Sequence, residues 1–160
     1  MTFDWFHLLH QTVFGGVAAA GFGILFNCPP RIVPVCFGCG ALALAVRTMG
    51  LDNGLTLPVA SFIAALFLSS VDRIWLRVES VRGSVLAVVG CIPMVPGSLA
   101  AKGITSLLLL SGGGYGVSPH PLHVAAESLV IVVLTFAGIG TALAIPNLLF
   151  PVKQHEELEP

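Results

Sequence analysis

The chain has 160 residues, of which 56% are hydrophobic and 9% charged, and its mean hydropathy is +0.96. A soluble domain of this length needs far more charge to cover its surface, so these values exclude a soluble protein and indicate an integral membrane protein. The formal net charge of −1 excludes a basic surface, so no nucleic-acid partner is expected.

Apolar segments follow one another along the chain and predict an all-α membrane protein. The first residues, MTFDWF, carry no Lys or Arg. A cleavable signal peptide begins with such a positive region, so we expect the first segment to be retained as a helix. Each segment is close to the roughly 20 residues needed to cross a bilayer, which predicts five transmembrane helices in one domain over 1–160. The predicted spans are 8–26, 32–49, 57–76, 81–111 and 121–150.

Small residues recur at a spacing of four in the first and last segments. Gly15, Ala19 and Gly23 share one face of the first helix, and Gly140 and Ala144 share one face of the fifth. Small side chains let helix backbones approach closely in lipid. We therefore expect both faces to pack against other helices.

The distribution of basic residues predicts the orientation. With five spans, five basic residues fall on one side of the membrane, and only Arg47 falls on the other. Because cytoplasmic loops are enriched in Lys and Arg, the N-terminus is predicted outside and the C-terminus in the cytoplasm. Asp72 and Glu79 are expected to lie with three of these basic residues in a mixed-charge cytoplasmic loop. The five cytoplasmic basic residues are Arg31, Arg73, Arg77, Arg82 and Lys153.

Arg47 ends the second segment, near Asp52. Its guanidinium matches the geometry of a carboxylate, so Arg47 is a candidate for binding an anionic substrate. The alternatives are an anchor at the membrane interface and a surface ion pair between Arg47 and Asp52.

The fourth segment contains a P-x-x-P-G element formed by Pro93, Pro96 and Gly97. Each proline removes a backbone donor and clashes with the preceding turn, so we predict two half-helices, the second beginning near Pro96. The amides of Gly97, Ser98 and Leu99 would then be unpaired at a helix N-terminus, which favours a carboxylate. Broken helices bind anionic groups in this way in several transporters. The alternative is a simple proline kink.

Lys102 lies beyond the break, in line with Ser98, Thr105 and Ser106 on one helix face. A lysine facing lipid is costly, so Lys102 is predicted to face a cavity or a carboxylate and to contribute to substrate binding. A structural ion pair and an interfacial position are the alternatives.

His123 and Glu127 lie one turn apart at the start of the fifth segment. Glu127 is a candidate for carrying a coupling proton or for pairing with Lys102, and His123 is a candidate for proton exchange. Both would equally suit the water interface.

Cys36 and Cys39 form a C-x-x-C pair, a spacing found in thiol oxidoreductases and metal sites. The pair lies in an apolar segment without nearby His or Asp, so packing is the preferred interpretation and neither a metal nor a cofactor is expected.

Around the sequence CIPMVPGSLA the chain resembles the threonine/serine exporter family, in particular its small, separately encoded membrane subunit. The family pattern P-x-(V/F)-P-G-(S/I) is matched by Pro93, Pro96, Gly97 and Ser98, and further similarity covers nearly the whole chain. It includes Gly21, Phe22, Phe26, Asn27, Pro29, Arg31, Arg47, Met49, Ile145 and Pro146.

The resemblance implies a half-transporter of the bacterial inner membrane that works with a larger membrane subunit, and possible self-association is left open. The implied activity is efflux of small carboxylates, either threonine and serine or succinate, and we expect it to be driven by proton antiport. Alternating access would come from rocking one helical bundle against the other. Two alternatives are a thiol–quinone oxidoreductase using Cys36 and Cys39, and a scaffold that does not itself transport. We expect no enzymatic activity.

Overall fold

The computed structural model describes residues 5–78, 85–111 and 120–149, and within these ranges all regular structure is helical. A single 3₁₀ turn, Ile92–Met94, follows the fourth helix. The helices are α1 (Trp5–Leu25), α2 (Val33–Asp52), α3 (Leu57–Val78), α4 (Val85–Cys91), α5 (Gly97–Ser111) and α6 (His120–Leu149).

The all-helical class is confirmed, but the prediction of five spans is confirmed only in part. Among the described residues, α1, α2 and the segment Leu122–Pro146 of α6 are long and apolar enough to cross a membrane. A fourth candidate span exists if α4 and α5 count as one broken helix. The bounds of α1, α2, α3 and α6 lie within three residues of the predicted ones, a normal difference for helix ends that fray.

Local turn chemistry explains where α1 and α2 end. Asn27 has a φ of +57°, and the amides of Asn27 and Cys28 donate to the carbonyls of Ile24 and Gly23. This is the Schellman arrangement, which satisfies carbonyls that have no partner in the last turn. α2 ends in the same arrangement, with Gly54 at a φ of +84°.

The helices pack in a chain of neighbours. α1 lies against α2, α2 against α3, α3 against α6 and α6 against α5, while α4 fits among α1, α2 and α3. The core joins α2, α3 and α6 to the end of α4 and the 3₁₀ turn. Its buried residues are Ala43, Leu44, Ala64, Ala65, Leu68, Cys91, Met94, Ile139 and Ala142.

The prediction of a small-residue face on α1 is confirmed, and its partner is α2. Gly15, Ala19 and Gly23 are buried. A Cβ placed on Gly40 of α2 would collide with Ala19 and with the backbone of Gly15. This close approach gains van der Waals contact, which drives helix association in lipid.

The corresponding face of α6 does not pack within the described part of the chain. Gly140 is exposed, and no neighbouring atom lies within 4 Å of the position that a Cβ on it would take. Ala144 is exposed as well. The contact predicted for this pair is therefore absent among the described residues. The face is left for lipid or for another protein.

Candidate functional site

A cavity of about 150 Å³ lies where α1 begins and α2 ends. The last three turns of α2 supply one wall because their lining residues follow the spacing i, i+3, i+4 and i+7 of a single helix face. The first two turns of α1 supply two polar side chains one turn apart. The lining residues are His7, Gln11, Leu44, Arg47, Thr48, Leu51 and Asp52.

Arg47 is the notable residue of this cavity because it is half-buried and its Nε is buried without an acceptor in the described structure. A guanidinium has five N–H donors and no acceptor group, and a buried charged donor left unpaired is costly. Asp52 is exposed and lines the same cavity. The described structure holds no Arg47–Asp52 ion pair, so that alternative is not realised, and the Nε of Arg47 is left without an acceptor there.

The chain bends by 50° between α4 and α5. Pro93 lies inside the 3₁₀ turn, and Val95 is extended, with φ −62° and ψ 125°. The residue before a proline is restricted to this extended region, so Pro96 accounts for the bend. α5 then begins at Gly97, one residue after Pro96.

Fewer backbone amides at the start of α5 are left to bind a carboxylate than the sequence predicted. The Gly97 amide donates to the carbonyl of Val95 at 2.8 Å, and the Leu99 amide donates to Pro96 at 3.1 Å. Two of the three amides predicted to be unpaired are therefore used locally. Pro96 is buried, whereas Gly97 and Ser98 are exposed.

Lys102 is exposed on α5 and does not face α6. The face of α5 that packs on α6 contains Gly103, where an added Cβ would lie 2.9 Å from the Leu129 side chain. Ser98 and Thr105, the other members of the predicted polar stripe, are exposed too.

His123 and Glu127 lie on the first two turns of α6 and are 81% and 62% exposed. The His123 Nδ1 lies 3.7 Å from the Glu127 Oε2. Glu127 therefore pairs along its own helix, and the suggested pair with Lys102 does not form in this structure.

The predicted site residues do not come together in one place. None of the break residues Pro93, Pro96, Gly97 and Ser98 lines the cavity around Arg47. The two regions are nevertheless connected, because Leu44 lines the cavity and also belongs to the buried cluster that contains Met94 of the 3₁₀ turn. The helix break and the wall of the cavity thus share one buried cluster.

The four cysteines are all free. Cys36 is fully buried where α1 crosses α2, and a Cβ placed on Gly23 would lie 2.9 Å from its Sγ. Cys36 therefore acts as a small side chain that packs between the two helices. In the described part of the chain no group of three or more His, Cys, Asp or Glu side chains is arranged to hold a metal ion.

Asp72 is the residue that the sequence interpretation placed wrongly. It belongs to α3, is only 3% exposed and lies in the helical bundle rather than in a loop. A usable signal exists in the sequence, because Asp72 continues the i, i+3, i+4, i+7 spacing of the buried face of α3. The other buried members of that face are Ser61, Ala64, Ala65, Leu68 and Ser69.

Comparison with known families gives one clear match. Residues 11–149 match the family model described as "Threonine/Serine exporter, ThrE". The matched range includes the Arg47 cavity wall from Gln11 onward, the helix break and Asp72. No solved structure matches the chain.

Proposed function

Because the chain belongs to the threonine/serine exporter family, we propose that it is the membrane subunit of a secondary transporter that exports small carboxylate metabolites. The observation that carries this proposal is Arg47, whose buried Nε lacks an acceptor among the described residues and lies at a cavity of about 150 Å³. A substrate carboxylate would supply that acceptor, because the guanidinium fork matches its two oxygens.

The charges of the cavity favour a zwitterion over a dicarboxylate. Arg47 contributes one positive charge and Asp52 one negative charge. An amino acid such as threonine or serine presents a carboxylate to the first and an ammonium to the second. Succinate would place a second carboxylate near Asp52, and like charges repel. Threonine and serine are therefore the preferred substrates at this cavity, with succinate as the competing candidate.

In the proposed orientation, with the N-terminus outside and the C-terminus in the cytoplasm of a bacterial inner membrane, the Arg47 cavity would lie at the outer end of the bundle. In this arrangement the cavity is a release site for exported substrate. The broken helix α4–α5 acts as the moving element, because Met94 packs in the same buried cluster as Leu44 of the cavity wall.

A larger membrane subunit of the same family completes the transporter by covering α5. Lys102 is exposed on this helix beside Ser98 and Thr105. On insertion scales, the free-energy cost of a lysine at the centre of a lipid-facing helix is about 2.5–3.5 kcal/mol. A carboxylate on the larger subunit or on the substrate would offset this cost. Ser98 and Lys102 would thus contact substrate at the subunit interface, beside Pro93, Pro96 and Gly97 of the break.

Substitution of Lys102 tests this interface. Lys102→Ala is expected to weaken association with the larger subunit by about tenfold or more, as loss of roughly 1.4 kcal/mol implies, whereas Lys102→Arg retains it. The measurement is the fraction of larger subunit that co-purifies with the chain. Ile104→Ala, at an exposed apolar position on the same helix, serves as the control. Unchanged co-purification of Lys102→Ala would contradict the proposed interface.

Inward movement of protons is proposed to drive export as an antiport. The exposed His123–Glu127 pair at the start of α6 would exchange protons with water at that end of the bundle.

Replacing Cys36 and Cys39 distinguishes the proposed transporter from the thiol-oxidoreductase alternative. If Cys36 and Cys39 only pack between helices, the variant carrying Cys36→Ser and Cys39→Ser is expected to export at the rate of the unmodified chain within about twofold, a difference of less than ~0.5 kcal/mol. Efflux by this variant is the measurement, with the amount of inserted protein as its control. Loss of function at normal protein levels would favour the redox alternative.

The proposed function is tested by efflux of labelled threonine and labelled succinate from cells that make both subunits, compared with cells lacking either one. Efflux that requires both subunits supports the half-transporter. Efflux by the larger subunit alone would support the scaffold alternative. Absence of flux for both compounds, with both proteins inserted, would contradict the proposed substrate class.

A further inference from the structure

Asp72 is a buried carboxyl group for which the proposed transporter has so far no role. It is 3% exposed, and its Oδ1 is buried without a hydrogen-bond partner in the described structure. Buried side-chain oxygens are nearly always hydrogen-bonded, and buried carboxylates are paired or become protonated. A buried carboxyl group with one oxygen left unpaired inside a helical bundle is therefore either an incompletely satisfied charge or a neutral acid.

Among the described residues, few groups around Asp72 could stabilise its negative charge. The thiols of Cys39 on α2 and Cys91 on α4 lie within electrostatic range of the carboxyl. Arg73, the next residue on α3, is the cation that acts on it. α6 also packs on α3 but carries no titratable residue after Glu127 within its described range. Arg73 is itself incompletely satisfied, since its Nε is buried without a partner.

The position of Asp72 couples its charge to the helix break. Cys91 is the last residue of α4 and directly precedes the 3₁₀ turn Ile92–Met94. Cys91 and Met94 belong to the same buried cluster as Leu68, which lies one turn before Asp72 on α3. A change in charge at Asp72 therefore acts on the element that we propose to move during transport.

We propose that Asp72 reversibly binds the proton that is exchanged for exported substrate. This inference rests on the proposed function and adds to it a proton-binding residue inside the bundle. The carboxylate takes one proton from one side of the membrane and becomes a neutral carboxylic acid. After the transporter changes conformation, the acid releases that proton to the other side and the carboxylate re-forms. Only the neutral form removes the cost of an unpaired charge beside the break.

Asp72→Asn resembles the protonated form of Asp72. This variant therefore distinguishes a loss of proton coupling from a loss of substrate transport. The chain and its larger subunit are reconstituted in vesicles and assayed in two ways with labelled threonine. One assay follows concentrative transport driven by a pH gradient, and the other follows exchange of labelled for unlabelled substrate at equal pH. The variant is expected to lose gradient-driven transport completely and to retain exchange. Ser70→Ala, at an exposed position on the same helix, is expected to retain both.

Several outcomes would overturn the assignment. Gradient-driven transport by Asp72→Asn would show that another group carries the proton, and loss of exchange in a correctly assembled variant would give Asp72 a structural or substrate-binding role. If Asp72→Asn fails to assemble, Asp72→Glu is used, and an unchanged pH profile of driven transport overturns the proposal. Failure of the unmodified complex in both assays would instead contradict the proposed function itself.

Discussion

Replacing Arg47 with glutamine is expected to reduce efflux more than any other single change in the cavity. Glutamine retains hydrogen-bonding capacity but loses the positive charge and the fork that matches a carboxylate. Removing one member of a buried, hydrogen-bonded charge pair costs about 2–5 kcal/mol, which corresponds to at least roughly 30-fold in apparent affinity. Efflux by Arg47→Lys is expected to lie between that of Arg47→Gln and that of the unmodified chain, because lysine keeps the positive charge but lacks the fork of the guanidinium.

The measurement is efflux by each variant with its larger subunit, together with the dependence of substrate exchange on external substrate concentration, because the Arg47 cavity is proposed to face outward. Arg31 provides the matched control, because it is an exposed arginine in the turn between α1 and α2 and does not line the cavity. Arg31→Gln is expected to transport normally. Equal efflux by Arg47→Gln and the unmodified chain would remove Arg47 from the substrate route.

The second large effect is expected at the contact between α1 and α2. Gly40→Ala adds one methyl group where Ala19 and the backbone of Gly15 leave no room. Forcing an extra methylene-sized group into a packed site typically costs about 1–3 kcal/mol. The two helices must separate, and the cavity that lies between their ends should open with them. We therefore expect lower thermal stability and weaker transport from the same substitution.

Gly38→Ala is the matched control for this experiment, because it makes the same change on the same helix where no atom lies within 4 Å of the new Cβ. It should be neutral or stabilising by up to about 1 kcal/mol, since alanine favours helix more than glycine does. The measurement is the midpoint of thermal unfolding of purified Gly40→Ala and of purified Gly38→Ala. Equal midpoints would mean that the close α1–α2 contact does not contribute to stability.

The helices were predictable because their ends depend on local chemistry. Asn27 and Gly54 adopt the positive φ angles of helix ends, and the prolines before α5 stop the preceding helix. The 50° bend and the pairing of the Gly97 amide depend on how the two halves pack against neighbouring helices. Hydropathy and proline positions carry no information about that packing.

The candidate site was predictable only in its two charged residues, Arg47 and Asp52. Arg47 is recognisable as an isolated cation at a helix end, but its cavity also needs His7 and Gln11 from another helix. Both residues continue the spacing of four set by Gly15, Ala19 and Gly23, a signal that the sequence interpretation did not follow to the start of α1. Asp72 was assigned to a loop because charge and hydropathy outweighed the helical periodicity of the buried residues Ala64 and Leu68.

The most direct test of the account is whether substrate occupies the Arg47 cavity. Gln11 is half-buried and lines the cavity, whereas Asn53 is exposed at the same end of α2 and does not line it. A membrane-impermeant maleimide is applied to complexes carrying Gln11→Cys or Asn53→Cys, with the labelling of the unmodified chain subtracted. Threonine is predicted to slow labelling at position 11 and to leave position 53 unchanged. Equal labelling of Gln11→Cys with and without threonine, in a complex that still exports threonine, would contradict the account.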